Sequence, residues 1–328
     1  MAKPFTELTL ADVLIARQRI QPYLQPTPLV QAHGLSRRIG SDIWLKCEFM
    51  LPTRAFKVRG GLNLVSHEAE HQAIGSSGLT AASTGNHGQS IAYAGQVFGF
   101  PVTIFSPKNA NPIKVASMEA LGATVKLVGK DFDEARNACE TFAQRSGARY
   151  VHSMNEPLLI AGVGTAYLEA LMSLPSADLL IVPIGGGSGA SAAGLVAKSV
   201  NPAIRVIGVQ AAGAPAVYQS FRSGRLESTS QANTAAEGLA TRVAFDLPLQ
   251  MIRHYVDDIV LVTDEEMRQA QALIFQDTRT LPEMAGAAST AAAVKLAQTI
   301  AGSRAILSVT GANASMPELQ QTWRTIDQ

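Results

Sequence analysis

Cysteine is scarce: the 328 residues include only Cys47 and Cys139. Two thiols can build neither a disulfide framework nor a four-ligand metal cage. Cys47 falls in an alternating segment and Cys139 in a helical one, so both read as buried thiols. Charge of either sign is also thin. Charged residues make up 16% of the chain and leave a formal net charge of +1. That balance supplies no field to draw nucleic acid or an anionic membrane, and no basic run interleaved with aromatics occurs. Charges interrupt every apolar stretch before it is long enough to span a bilayer. Met1 to Glu7 lack the apolar core of a signal peptide. The expectation is a soluble, cytoplasmic protein with no nucleic-acid or membrane partner. His33, His67, His71, His152 and His254 show no metal-ligand spacing on this reading and are taken as structural or exposed, so no metal site is expected.

Hydrophobic residues make up 47% of the chain, a globular composition. At this length a single small core is less natural than two lobes. Thr9-Leu10-Ala11-Asp12 reads as a capping box for a first helix. A second short helix runs to Gly40, and Asp42 to Glu48 alternates like a strand. From Gly78 the pattern becomes strand, glycine-rich turn, helix, strand. Leu79 to Ala82 and Val102 to Phe105 are strands, with Gly99 closing the helix between them. Pro112 opens another helix, Thr124 to Val128 forms a strand, and a helix runs from Asp131 to Ser146. Asp178 to Ile184 is a nearly continuous apolar strand, as a sheet covered on both faces requires. Ile204 to Val209, a helix opened by Thr263-Asp264-Glu265-Glu266, and Ala305 to Val309 complete the rhythm. The polar, serine-rich stretch from Gln219 to Thr234 reads as a long surface loop. Strands alternating with helices imply α/β architecture, with two open, twisted, mainly parallel sheets, helices on both faces, and a cleft between the lobes.

Four segments carry candidate chemistry. Pro52-Thr53-Arg54-Ala55-Phe56-Lys57 places a lysine in a short turn. Such an amine becomes a Schiff-base nucleophile only when burial or nearby cations depress its pKa. Ser83-Thr84-Gly85-Asn86-His87-Gly88 lies at a strand-to-helix turn, where backbone N–H groups suit an anion such as a carboxylate. Gly185-Gly186-Gly187-Ser188-Gly189 follows a buried strand and opens a helix, which suits a phosphate. It approximates a dinucleotide fingerprint, but the acidic residue that a ribose needs is replaced near Gln210, which disfavours a nicotinamide cofactor. Ser308-Val309-Thr310-Gly311-Ala312-Asn313 is a strand end with a hydroxyl and small residues.

In identity and order these segments resemble the tryptophan-synthase-like (fold type II) enzymes dependent on pyridoxal phosphate, in the serine/threonine dehydratase and serine racemase branch. The likeness runs from Thr9 to Asn313 and includes Ala16 to Ile20, Thr27-Pro28-Leu29 and Ala236-Glu237-Gly238-Leu239-Ala240. It implies a discontinuous large domain of residues 1–74 and 154–328, and a small substrate-loop domain of residues 75–153, with the cofactor between them. Lys57 matches the Schiff-base lysine and Phe56 the residue beside the cofactor ring. Asn86 matches the partner of the ring's phenolic oxygen, Gly185 to Gly189 the phosphate cradle, and Thr310 the contact to the pyridine nitrogen. Ser83, Thr84, Gly85, Asn86 and His87 match the loop that holds the substrate carboxylate.

The implied activity is an ammonia-lyase that turns a β-hydroxy amino acid such as L-threonine or L-serine into a 2-oxo acid and ammonia. Dehydration of 3-hydroxyaspartate or phenylserine, amino acid racemisation, β-replacement synthesis, and non-catalytic cofactor binding are the alternatives. A homodimer is implied, and no appended C-terminal regulatory domain is expected. The chain departs from the family pattern at several positions. Arg54-Ala55 replaces Gly-Ser before Phe-Lys, and Arg54 either faces solvent or favours an acidic substrate. Thr84 stands where racemases carry a serine that protonates the opposite face. Gln210 and Ala216 replace acidic cation ligands. Glu283 lies in Pro282-Glu283-Met284-Ala285, where relatives read Glu-Pro-Ser-Gly, and either borders the cofactor or caps a helix.

Overall fold

A computed structural model describes residues 8–326. Ten strands form two sheets: β1 (Leu29–Gln31), β2 (Asp42–Cys47), β3 (Leu79–Ala82), β4 (Val102–Ser106), β5 (Thr124–Leu127), β6 (Arg149–Tyr150), β7 (Leu179–Pro183), β8 (Arg205–Ala211), β9 (Asp258–Val262) and β10 (Arg304–Val309). The larger sheet has the order β1-β2-β10-β7-β8-β9 and the smaller β5-β4-β3-β6. Only β1 runs antiparallel, with Val30 opposite Leu45; every other pairing is parallel. The α/β reading of the sequence therefore holds.

The strand period of two explains how the larger sheet is covered on both faces. Leu180, Val182, Val206 and Ile306 point into one core, beneath the helices Pro157–Ser173 and Ser188–Val200. Leu179, Ile181, Ile207 and Leu307 point into the other, beneath the alanine-rich helix Met284–Lys295. A third core joins Leu79, Ala81 and Ile104 of the smaller sheet to Leu62 and Val65 of the helix Lys57–Glu70.

Start and stop signals act where the sequence puts them. Thr9 and Asp12 close a capping box on the helix Leu10–Ile20, as do Thr263 and Glu266 on Asp264–Thr278. Gly99, at φ 76°, ends the helix Asn86–Phe98. One expectation is corrected. Gln219 to Ser223 are not loop but the end of a helix, Ala216–Ser223, which buries Val217 and Ser220. Apolar residues at Ala216, Val217 and Phe221 give the segment a helical face that its serine content hides. No described helix is long and apolar enough to cross a membrane.

Beneath the start of the helix Lys57–Glu70 lies a buried ionic network. Arg59 is fully buried. It reaches Glu48 Oε2 at 2.6 Å and Glu169 Oε1 at 2.7 Å, and donates to Thr165 Oγ1 at 3.0 Å. Lys46 Nζ donates to Glu169 Oε2 at 2.7 Å. Two cations face two carboxylates, so the desolvation cost of each charge is offset by its partners.

Candidate active site

The chemistry-bearing segments share one end of both sheets. The Ser83 loop follows β3, the glycine loop follows β7, and Thr310 follows β10. The carboxyl ends of parallel strands open onto crevices where ligands bind. Here they open onto a cavity of about 680 Å³ lined by Phe56, Lys57, Asn86, Gly187 and Thr310, among others.

Lys57 is the first residue of its helix. Its Nζ lies 3.1 Å from Ser188 Oγ and 3.4 Å from the carbonyl oxygen of Ser153. Burial pushes the amine down to about 8, because a buried ammonium loses hydration that no carboxylate replaces. At neutral pH a usable fraction is therefore the nucleophilic free amine.

The glycine loop leads into the helix Ser188–Val200. The backbone N–H groups of Gly186, Gly187, Ser188 and Gly189 have no acceptor among the described residues. Orphan amides at a helix N-terminus favour an anion. Glycine is required at two places by geometry. Gly187 has φ 102°, and a Cβ on Gly185 would lie 2.3 Å from the backbone oxygen of Gly238.

Facing this loop, Ser83 Oγ accepts from the N–H groups of Gly85 at 3.0 Å and Gly88 at 2.8 Å. The serine thus staples the turn, and the amides of Thr84, Asn86 and His87 are left without an internal partner. His87 lines the cavity but is buried, with Nε2 held 3.2 Å from the Val151 carbonyl oxygen. Burial drives its pKa down to about 3, so the ring is neutral, and Nδ1 has no partner.

Asn86 is fixed from both sides. Its Nδ2 donates to Glu283 Oε1 at 2.7 Å, and its Oδ1 accepts from Asn313 Nδ2 at 2.7 Å. Glu283 therefore faces the cavity as well as sitting at the N-cap of the helix Met284–Lys295. Burial holds its carboxyl above the usual range. Lys114 Nζ stands 3.8 Å from Glu283 Oε2 and 2.5 Å from Glu237 Oε2. Burial alone would lower its pKa, but the Glu283 and Glu237 carboxylates hold it above the usual lysine range.

Thr310 is buried on the cavity wall, and its carbonyl accepts from the N–H of Phe56 at 3.0 Å. Arg54 is not brought to the cavity. It occupies a left-handed turn at φ 54° with its side chain exposed. Its backbone bonds Leu51 and Ala312. Gln210 is buried in β8, and its Oε1 accepts from the N–H of Tyr218 at 2.8 Å.

Sequence reading missed Lys114, Glu237 and the contact made by Asn313. Lys114 looks like a solvated helix residue until the fold buries it against Gly85 and Glu283. Asn313 was within sight, three residues beyond Thr310, but its reach to Asn86 is a tertiary fact. Ser230 to Asn233, part of the expected surface loop, also line the cavity.

Residues 20–311 match the family model described as pyridoxal-phosphate dependent enzyme. The chain belongs to that family. Its cofactor is pyridoxal phosphate, and the site fits that group: four orphan amides could hold a phosphate, and an amine of depressed pKa could capture an aldehyde. Among relatives, the L-threonine ammonia-lyase of Thermotoga maritima is 36% identical over 306 residues, covering 93% of this chain and 76% of the relative. A catabolic L-threonine dehydratase of Staphylococcus aureus is 34% identical, covering 87% of this chain and 82% of the relative. Among solved structures, maize serine racemase superposes with a TM-score of 0.91 at 30% identity, covering 97% of each chain. Processed threonine deaminase isoform 2 of Solanum lycopersicum also gives 0.91, at 28% identity, covering 97% of this chain and 87% of that one.

Proposed function

We propose that this family member is an ammonia-lyase for a neutral β-hydroxy amino acid of the threonine or serine kind, releasing a 2-oxo acid and ammonia. One observation carries the reading. Lys57, its amine depressed to about 8, stands in a single cleft with two sets of orphan amides, at Gly186–Gly189 and at Thr84–His87. One set suits a phosphate and the other a substrate carboxylate. The reactions for which the Thermotoga and Staphylococcus relatives are named support it.

In this assignment Lys57 would hold the cofactor, the Gly185–Gly189 loop its phosphate and Asn86 its phenolic oxygen, with Phe56 beside the ring. Bound pyridoxal phosphate supplies an aldehyde for amine capture and a ring that accepts the electron pair left at the α-carbon. Thr310 offers a hydroxyl to the ring nitrogen. A hydroxyl would not stabilise a protonated ring as a carboxylate would, an arrangement that would suit elimination of a β-leaving group. Glu283 and Asn313 keep the Asn86 amide oriented. Thr84, Asn86 and His87 offer backbone N–H groups to the substrate carboxylate. Lys57 Nζ removes the α-proton as general base, with a pKa matched to neutral operation. Thr84, stiff at χ1, is a poor opposite-face proton donor, which places elimination ahead of racemisation.

The charge inventory of the cleft argues for a neutral substrate side chain. Lys114 pairs with Glu237, Lys130 with Glu134, Arg136 with Asp133 and Glu140, and Arg242 with Asp133. A distal carboxylate, as in 3-hydroxyaspartate, would have to break one of these pairs. Lys114–Glu237 and Arg242–Asp133 also tie the smaller sheet's helices to the 237–242 segment across the cleft mouth, which helps exclude water. A cytoplasmic homodimer accompanies this assignment.

The test is substrate preference. Steady-state 2-oxo acid release is compared for L-threonine, L-serine, L-threo-3-phenylserine and both L-isomers of 3-hydroxyaspartate. A kcat/KM at least tenfold higher for a neutral member is expected. A preference for 3-hydroxyaspartate would overturn the neutral assignment, and silence across the panel would overturn the lyase.

A further inference from the structure

The sequence reading expects no metal at the histidines; the fold brings two of them together. His67 lies in the last turn of the helix that begins at Lys57, and His71, four residues on, is the C-cap of that helix. The ring centroids are 4.2 Å apart. Glu70 lies between them in sequence, and one ligand atom from each of the three side chains falls within 4.8 Å of the others. Tetrahedral ligand atoms at about 2.0–2.2 Å from one ion lie about 3.3–3.6 Å apart, so binding would draw the three atoms closer together. Glu70 and His71 are exposed and His67 half-buried, which leaves an approach open.

Two further observations organise the cluster. His71 Nδ1 lies 2.7 Å from the carbonyl oxygen of His67. A carbonyl only accepts, so Nδ1 carries the proton and Nε2 keeps its lone pair. Backbone anchoring of the distal ring nitrogen in this way is the usual support of a metal-bound histidine. The second observation is Arg19, from the helix Leu10–Ile20. Its Nη2 lies 3.3 Å from His67 Nδ1, and its Nε lies 3.4 Å from Glu70 Oε1. A guanidinium only donates, so His67 Nδ1 and Glu70 Oε1 are acceptors already gathered round a cation. Arg19 is also held by Asn63 Oδ1 at 2.8 Å, independently of the cluster.

We propose that His67, Glu70 and His71 form a site for a divalent transition-metal ion, with Arg19 as the built-in competitor for the His67 and Glu70 acceptors. Two imidazoles and one carboxylate suit Zn²⁺, Ni²⁺ or Cu²⁺. They do not suit Mg²⁺ or Ca²⁺, which need a fuller shell of oxygens. Water completes the shell. The ion clips the last turn of a helix whose first residue is Lys57, some 15 Å away at 1.5 Å per residue. Its role is therefore conformational rather than chemical.

The experiment is a Zn²⁺ titration of the cofactor-loaded protein by calorimetry at pH 7.5, with melting temperature as a second readout. One ion per chain is expected, and Zn²⁺ raises the melting temperature. His71→Gln, at an exposed position, weakens binding at least tenfold and removes the thermal shift. His67→Ala behaves in the same way. Arg19→Gln, which frees the acceptors, tightens binding several-fold. No binding, or binding unchanged in His71→Gln, overturns the site. Weaker binding in Arg19→Gln overturns the competition.

Discussion

Asn86 and Glu283 come from distant parts of the chain and meet through a 2.7 Å hydrogen bond from Nδ2 to Oε1. Each is held again from behind, Asn86 by Asn313 and Glu283 by Lys114. The amide thus cannot rotate without taking the hydrogen-bond donor from Glu283 Oε1. That cost fixes which atoms Asn86 presents to the cavity.

Glu283→Ala removes an acceptor from Asn86 and an anion from Lys114. A lost hydrogen bond to a charged group costs about 1.5–3 kcal/mol, so kcat/KM is expected to fall at least tenfold. Glu283→Gln keeps the oxygen that accepts from Asn86 and recovers part of the activity. Equal losses in the two variants would show that Asn86 does not depend on that oxygen.

Glycines of the phosphate loop differ in what they tolerate. A Cβ on Gly185 meets the backbone oxygen of Gly238 at 2.3 Å, whereas one on Gly186 meets the Met154 sulfur at 2.1 Å. Backbone cannot yield cheaply, but a methionine side chain can. Gly185→Ala should weaken cofactor retention far more than Gly186→Ala, as measured by equilibrium dialysis of pyridoxal phosphate. The reverse order would place the phosphate elsewhere.

Lys57 gives the apoprotein a pH signature. Its pKa falls from 10.5 in the unfolded chain to about 8 in the fold. Cofactor capture needs the free amine, so the rate of reconstitution should rise with pH and level off above about 8. The sign for stability follows from proton counts. Between about 8 and 10.5 the unfolded chain holds a proton that the folded one lacks. This group therefore makes apoprotein stability rise with pH across that window. Lys57→Met removes both effects. Persistence of either in that variant assigns it to another group.

Arg59 anchors the start of the same helix, and its loss takes the 2.6 Å partner from buried Glu48 and leaves Glu169 with Lys46 alone. Breaking a buried pair by removing one partner costs about 3–5 kcal/mol. Arg59→Ala should lower the urea midpoint by a corresponding amount. A midpoint within error of the parent would mean that the network contributes little.

What was readable in the sequence was local. The strand-turn-helix signatures at Ser83–Gly88 and Gly185–Gly189 announce themselves because glycine and small polar residues occupy fixed offsets from buried strands. The identity of Lys57 was readable only through its order relative to those loops. Lys114 and the partners of Glu237 and Asn313 were not legible, since burial and partner choice arise from packing between segments far apart in the chain. For Arg54 the sequence leaves two readings, solvent-facing or close to an acidic substrate, and the side chain is exposed in the fold. The helix Ala216–Ser223 hides its apolar face among serines.

The most direct measurement is 2-oxo acid release from cofactor-loaded protein given L-threonine and L-serine, run beside Lys57→Ala. Expected is steady release of product in step with ammonia from the parent, and no release above background from the variant. Release undiminished in Lys57→Ala, or none from the parent with either substrate, would contradict the assignment of Lys57 as the amine on which the chemistry turns.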